Sequence, residues 1–339
     1  MKNTLELYNE ILFLNLRPWV YGSHSEMKFK QLLLDEKKEY YTGQPLYKVE
    51  FVQPLTNIRK YYKTIIELEA IRFLNSLHEE IQLAQNKYEK QYIVHVTLTK
   101  ALSQKLTETA QVISERSYST SQYDFSNPGI TGDKAIGNES YVLHYLKSQL
   151  IRLYLEVQDL FPEYSKESML SVDEIYYKYF DEQAPKESNI VKSENTSITN
   201  HLQNIESEEK TVFNPIKGDF KILKKGINSY SQLVKNPSRF AFVEEKLFEK
   251  GLIKDYIFID TYRNKKYLAA FYHQLIRKGY FNTRIFPGNI EIKSLQVRKF
   301  LDYRYNANVD KQFRLWENDE KALLEYIEKD YWLDIIPAC

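Results

Sequence analysis

YVLHYLKSQLIRLYLEVQDLFP, residues 141–162, is the stretch whose reading decides the fold class. From Tyr141 to Phe161 it is strongly apolar and too long for a strand. It reads as a helix stopped by Pro162, whose ring restricts the residue before it to extended backbone. Working upstream, Asn57 to Glu115 reads as two helices, because Ile66, Ala70, Phe73 and Leu77 recur at i, i+4, i+7 and i+11 and share one face. Within that stretch the β-branched run Tyr92 to Leu98 leaves a strand open as the alternative. Residues 5–20 are helix-like around Leu5, Ile11 and Leu14. Residues 117–140, with the Asn127-Pro128-Gly129 turn, read as a long loop, and Val172 to Phe180 closes a helical N-terminal domain, residues 1–180.

No aromatic residue lies between Phe180 and Phe213, and Ser, Asn, Glu, Lys and Thr dominate there. Such a segment buries too little apolar surface to offset the entropy of ordering it, so residues 181–212 read as a polar linker. In residues 213–339 helices are expected at about 237–250, 263–278, 291–304 and 318–332. Two of them end in Lys250-Gly251 and Lys278-Gly279, where glycine supplies the left-handed cap and lysine favours the negative end of the helix dipole. The fold class expected is mainly α.

The composition agrees with two modules. The chain has 339 residues, 43% hydrophobic and 27% charged, with 28 Tyr against 10 Gly and 10 Pro, which favours long elements over many tight hairpins. Cys339 is the one cysteine, so neither an intramolecular disulfide nor a cysteine zinc site can form. With no secretion-type leader and no long uncharged apolar run, a cytoplasmic protein without a membrane span is expected. The net charge of +1 hides a division. Residues 1–210 carry 24 basic and 30 acidic side chains (−6), and residues 211–339 carry 23 and 16 (+7). The basic surface reads either as a polyanion site or as a solvated lysine-rich face.

No catalytic pattern is complete. His95-Val96-Thr97-Leu98 has the His-x-Thr form of two-histidine phosphoesterases, but none of His24, His78, His144, His201 and His273 supplies the second motif. Gly129 to Lys134 lacks phosphate-loop spacing, and His78-Glu79-Glu80 lacks a second His four residues on. No cofactor, metal or enzymatic activity is expected.

The most informative segment is 290–317. Val297, Phe300, Leu301 and Tyr305 form an inward face, the chain turns through Tyr305 to Asn308, and Val309 to Trp316 starts a second helix capped by Asn308. That is the outline of a helix-turn-helix or winged-helix domain, in which the second helix enters the major groove of double-stranded DNA. Lys311, Gln312 and Arg314 are expected to project from the second helix, with Lys293, Arg298, Lys299 and Arg304 on or beside the first.

Asn264-Lys265-Lys266-Tyr267-Leu268, the helix to Leu275, Gly279, Ile290, Phe300, Tyr305-Asn306, Val309-Asp310 and Phe313-Arg314 together resemble the C-terminal part of the RteC family of conjugative-transposon regulators, over about 70 residues. The resemblance implies a helical N-terminal domain, a DNA-binding C-terminal domain and control of mobile-element excision genes. From another class comes a protein-interaction adaptor, in which the Tyr-rich N-terminal domain docks a partner protein and Trp19, Trp316 and Trp332 are candidate contacts.

Overall fold

A computed structural model describes residues 5–20, 25–36, 39–123, 134–165, 169–185, 189–192, 233–254, 256–285 and 290–339. The fold is mainly helical. The described residues divide into two compact units, one drawn from 1–12 and 16–213, the other from 13–15 and 214–339.

The first unit contains α1 (Glu6–Phe13) up to Leu12, α2 (Glu26–Asp35), β1 (Tyr47–Val49), α3 (Asn57–Leu83), α4 (Lys87–Val96), a π-helical turn (Thr97–Leu102), α5 (Ser103–Glu115), α6 (Lys134–Leu160), α7 (Val172–Phe180) and β2 (Ile190–Lys192). Helix α6 is its core, packed by α3 and α5, with Tyr141, Val142, Leu143, Leu146, Leu150, Ile151, Leu153 and Val157 all buried. On α3 the stripe Ile66, Ala70, Phe73 and Leu77 is buried as its spacing requires. Side-chain caps set the helix starts: Thr56 accepts from the Arg59 amide, Asn86 from the Glu89 amide and Ser171 from the Glu174 amide.

The strand alternative falls, and two expectations need correction. Residues 92–98 are helical, because the Asn86 cap opens α4 ahead of them and Val94 packs inward, so local β propensity yields to context. His95 and Thr97 therefore do not share a strand face. Helix α6 begins at Lys134, within the expected loop, while the Asn127-Pro128-Gly129 turn lies outside the described residues. Ile190 to Lys192, expected in the linker, pair antiparallel with β1 (Tyr47↔Lys192, Val49↔Ile190), burying Ile190; residues 193–212 lie outside the described residues.

The second unit contains α8 (Pro237–Glu249), β3 (Ile253–Lys254) paired with β4 (Ile257–Phe258), α9 (Tyr262–Arg277), β5 (Arg284–Ile285) paired with β6 (Ile290–Glu291), α10 (Ser294–Arg304), α11 (Asp310–Asn318), α12 (Glu320–Glu328) and α13 (Tyr331–Asp334). Helix α9 is central: Leu268 to Leu275 are buried without a break, and α10, α11 and α12 pack on it. Gly251 (φ +65°) and Gly279 (φ +76°) take the left-handed conformation where α8 and α9 stop, as the Lys-Gly pairs require. The expected helix at 291–304 gives up its first turn to β6, and the one at 318–332 is divided by Asp330, which caps α13 through the Leu333 amide. No described helix is long and apolar enough to cross a membrane.

Candidate nucleic-acid interface

Helices α10 and α11 are joined by a five-residue turn. Val297, Phe300, Leu301 and Tyr305 are buried, so the inward face of α10 is the one its spacing predicts. The turn places Asn306 in the left-handed region (φ +46°) and returns the Ala307 amide to the Asp302 carbonyl at 2.8 Å. Asn308 accepts from the Asp310 amide at 3.4 Å, although the capping position itself is Val309.

Helix α11 is anchored by Phe313 and Trp316. The His273 ring of α9 stacks on Phe313 at 4.0 Å, with Nε2 3.0 Å from the Phe313 carbonyl. Burial holds His273 below the usual imidazole value, against the pull of that carbonyl bond. Trp316 donates to the Lys266 carbonyl at 3.3 Å and lies under the Lys266 ammonium. With 313 and 316 inward, Lys311, Arg314, Leu315 and Asn318 fall at i, i+3, i+4 and i+7 on the outer face, where all four are exposed, and Gln312 is half-buried beside them.

The seven residues expected at a DNA surface do not behave alike. Lys293, Lys299 and Lys311 are exposed with no ion pair to a described carboxylate. Arg314 is exposed and bonded to Asp310 at 3.1 Å, an exposed i,i+4 pair of about 0.3–0.5 kcal/mol that a stronger anion can displace. Arg298 and Arg304 are corrections. The Arg298 side chain is 8% exposed and is held by Asp302 at 2.9 Å and Asp310 at 3.0 Å. Arg304 is fully buried against an equally buried Glu244, which also accepts from the Tyr305 hydroxyl at 2.7 Å. Neither guanidinium faces solvent, so neither reaches an external phosphate in this conformation.

Asp302 is the perturbed carboxyl of the region, pushed up to about 6 by burial; Arg298 and the Val309 amide oppose the shift and Asp310 adds to it. Elsewhere in the unit Lys246, Lys250 and Lys265 are also engaged, with Glu249, Asp330 and Asp260. Lys217, Lys221, Lys224 and Lys225, part of the basic excess, lie outside the described residues. Among the described residues no cluster of three or more His, Cys, Asp or Glu is placed to hold a metal ion. Asp302 and Asp310 were legible as i,i+4 partners of Arg298 and Arg314; Glu244, sixty residues upstream of Arg304, had no local signal.

Residues 20–228 match the model of a family of unknown function, DUF6617, over more than half of the chain. The chain belongs to DUF6617. No curated protein and no solved structure matches it. The DUF6617 match spans most of the first unit and ends ahead of α8, so α10 and α11 lie outside it.

Proposed function

We propose that the second unit binds double-stranded DNA and that the protein is a DNA-binding regulator, with the outer face of α11 as the reading surface. Lys311, Gln312 and Arg314 point to the groove, and Lys293 and Lys299 hold flanking phosphates. The observation that carries this reading is the division of α11 itself: its apolar anchors are spent on α9, and its outer face, on the helix that follows the five-residue turn, exposes the two cations Lys311 and Arg314. The resemblance to RteC regulators supports it, since the shared positions Leu268, Leu275, Phe300, Tyr305, Val309 and Phe313 are all buried and pack α9, α10 and α11 together. By the same likeness, the regulated genes are those of a mobile element.

Four exposed cations predict a slope of log affinity against log salt of roughly −3.6, a loss on the order of 10²-fold between 50 and 200 mM salt. Anisotropy of a labelled duplex titrated with the full chain measures it. The pair Lys293→Gln/Lys299→Gln should reduce the slope by about 2 and leave Arg304 in place. No binding at 50 mM salt refutes the proposal.

A second reading is a protein partner at the first unit. It is favoured by Tyr88 and Tyr92, i and i+4 on α4, which are 81% and 65% exposed on a helix whose one fully buried side chain is Val94. Recovery of one stoichiometric protein without nucleic acid, lost in Tyr88→Ser/Tyr92→Ser, supports it; recovery unaffected by that pair removes it.

A further inference from the structure

Arg298 sits where a cation is costly unless it is bonded on every side, and its bonds are shared between two helices. Nη1 meets Asp302 on its own helix, Nη2 meets Asp310 on the first turn of α11, and Nε has no partner among the described residues. The other oxygen of Asp302 accepts the amide of Val309, the residue before α11, at 3.4 Å. One guanidinium and one carboxylate thus tie both sides of the turn. Asp310 carries a second load, the Arg314 Nε at 3.1 Å, so the buried tie is continuous with an exposed cation of the outer face.

We propose that Arg298 is a positioning residue, clasped between Asp302 and Asp310, that sets the first turn of α11 against α10, and that the proton on Asp302 governs the grip. Its consequence for DNA rests on the proposed function; the positioning itself does not. The groups facing Asp302 are Arg298 from α10, Tyr272 from α9, Asp310 from α11 and the Val309 amide. When Asp302 is ionised, Arg298 is held by both carboxylates. When Asp302 takes a proton, the guanidinium is left with Asp310 as its one anion, Asp310 is drawn from Arg314, and the bond to Val309 loses its charged acceptor. Buried at this level, Asp302 titrates near pH 6, within reach of an ordinary pH series.

The test is amide chemical shift in the full chain between pH 5 and 8. Val309 and Asp310 should move with a midpoint near 6. Asp302→Asn, which keeps an acceptor for Val309, should abolish the transition. Asp310→Asn should lower its midpoint, because a neighbouring negative charge is removed and Arg298 is left to Asp302 alone. His273→Gln should leave it in place, although His273 is stacked beneath the same helix. A transition that survives Asp302→Asn, one that disappears in His273→Gln, an unmoved midpoint in Asp310→Asn, or a Val309 amide that does not shift at all overturns the proposal. Duplex binding is not the readout, so a failure to bind DNA removes the proposed function and leaves this inference standing.

Discussion

Replacing Arg304 by Met separates a structural arginine from a DNA-contacting one. The side chains of Arg304 and Glu244 are both 0% exposed and are joined by two hydrogen bonds, one of 2.8 Å, and the carboxylate also accepts from the Tyr305 hydroxyl. The Tyr256 ring covers the guanidinium at 4.8 Å. Arg304→Met leaves a carboxylate in the interior without the guanidinium that balances its charge, a loss of about 3–5 kcal/mol. For a unit of this size that is roughly 10–20 °C in Tm, or about 2 M in the urea midpoint. Trp316 and Trp332 belong to the second unit and Trp19 to the first, so fluorescence in a Trp19→Phe background follows the relevant transition. Arg304→Met/Glu244→Leu, which removes both charges, should recover stability to within about 1 kcal/mol of the parent. If Arg304 were a phosphate contact, its loss would leave the urea midpoint unchanged and lower the salt slope by about 0.9. A midpoint within about 1 kcal/mol of the parent refutes the buried-pair account.

Two further predictions concern the first unit. Glu156 is fully buried, accepts the Leu46 and Tyr47 amides at 2.7 and 3.1 Å and pairs with Arg152 at 3.5 Å, so Glu156→Ala should cost about 3–5 kcal/mol and expose both amides to hydrogen exchange, with Glu156→Gln milder. Unchanged protection at Leu46 and Tyr47 would contradict the clamp. His144 on α6 is buried with Nδ1 2.9 Å from the Ser140 carbonyl, and burial lowers it to about 4, with the Ser140 bond opposing and Lys147 adding. The folded state therefore binds fewer protons than the unfolded one between about pH 6.5 and 4. That stability is present above 6.5 and is lost as the pH falls through this window, by about 2–3 kcal/mol at pH 4.5. His144→Gln should flatten the loss in urea titrations of the first-unit transition; parallel pH profiles would exclude His144 as its source.

What was legible in the sequence was local. The stripe Ile66, Ala70, Phe73, Leu77, the run up to Pro162 and the Lys-Gly stops each act within a few turns of chain, and each is found where spacing placed it. Strand β2 was not legible, because its partner β1 lies more than 140 residues upstream and a three-residue strand leaves no period in a polar segment.

The arginines are the instructive case. Arg304 falls three residues after Leu301 and four after Phe300, so helical spacing already set it on the inward face, while Lys299 falls opposite. What local pattern could not supply was Glu244, without which a buried guanidinium at that position is untenable. Counting charge therefore overstated the surface, and counting charge by helix face would have reduced it to Lys293, Lys299, Lys311 and Arg314. These four are exposed, so their substitution should leave the fold intact; a change in DNA affinity on removing them is then a change in contacts, whereas the same change at Arg298 or Arg304 is first a change in structure.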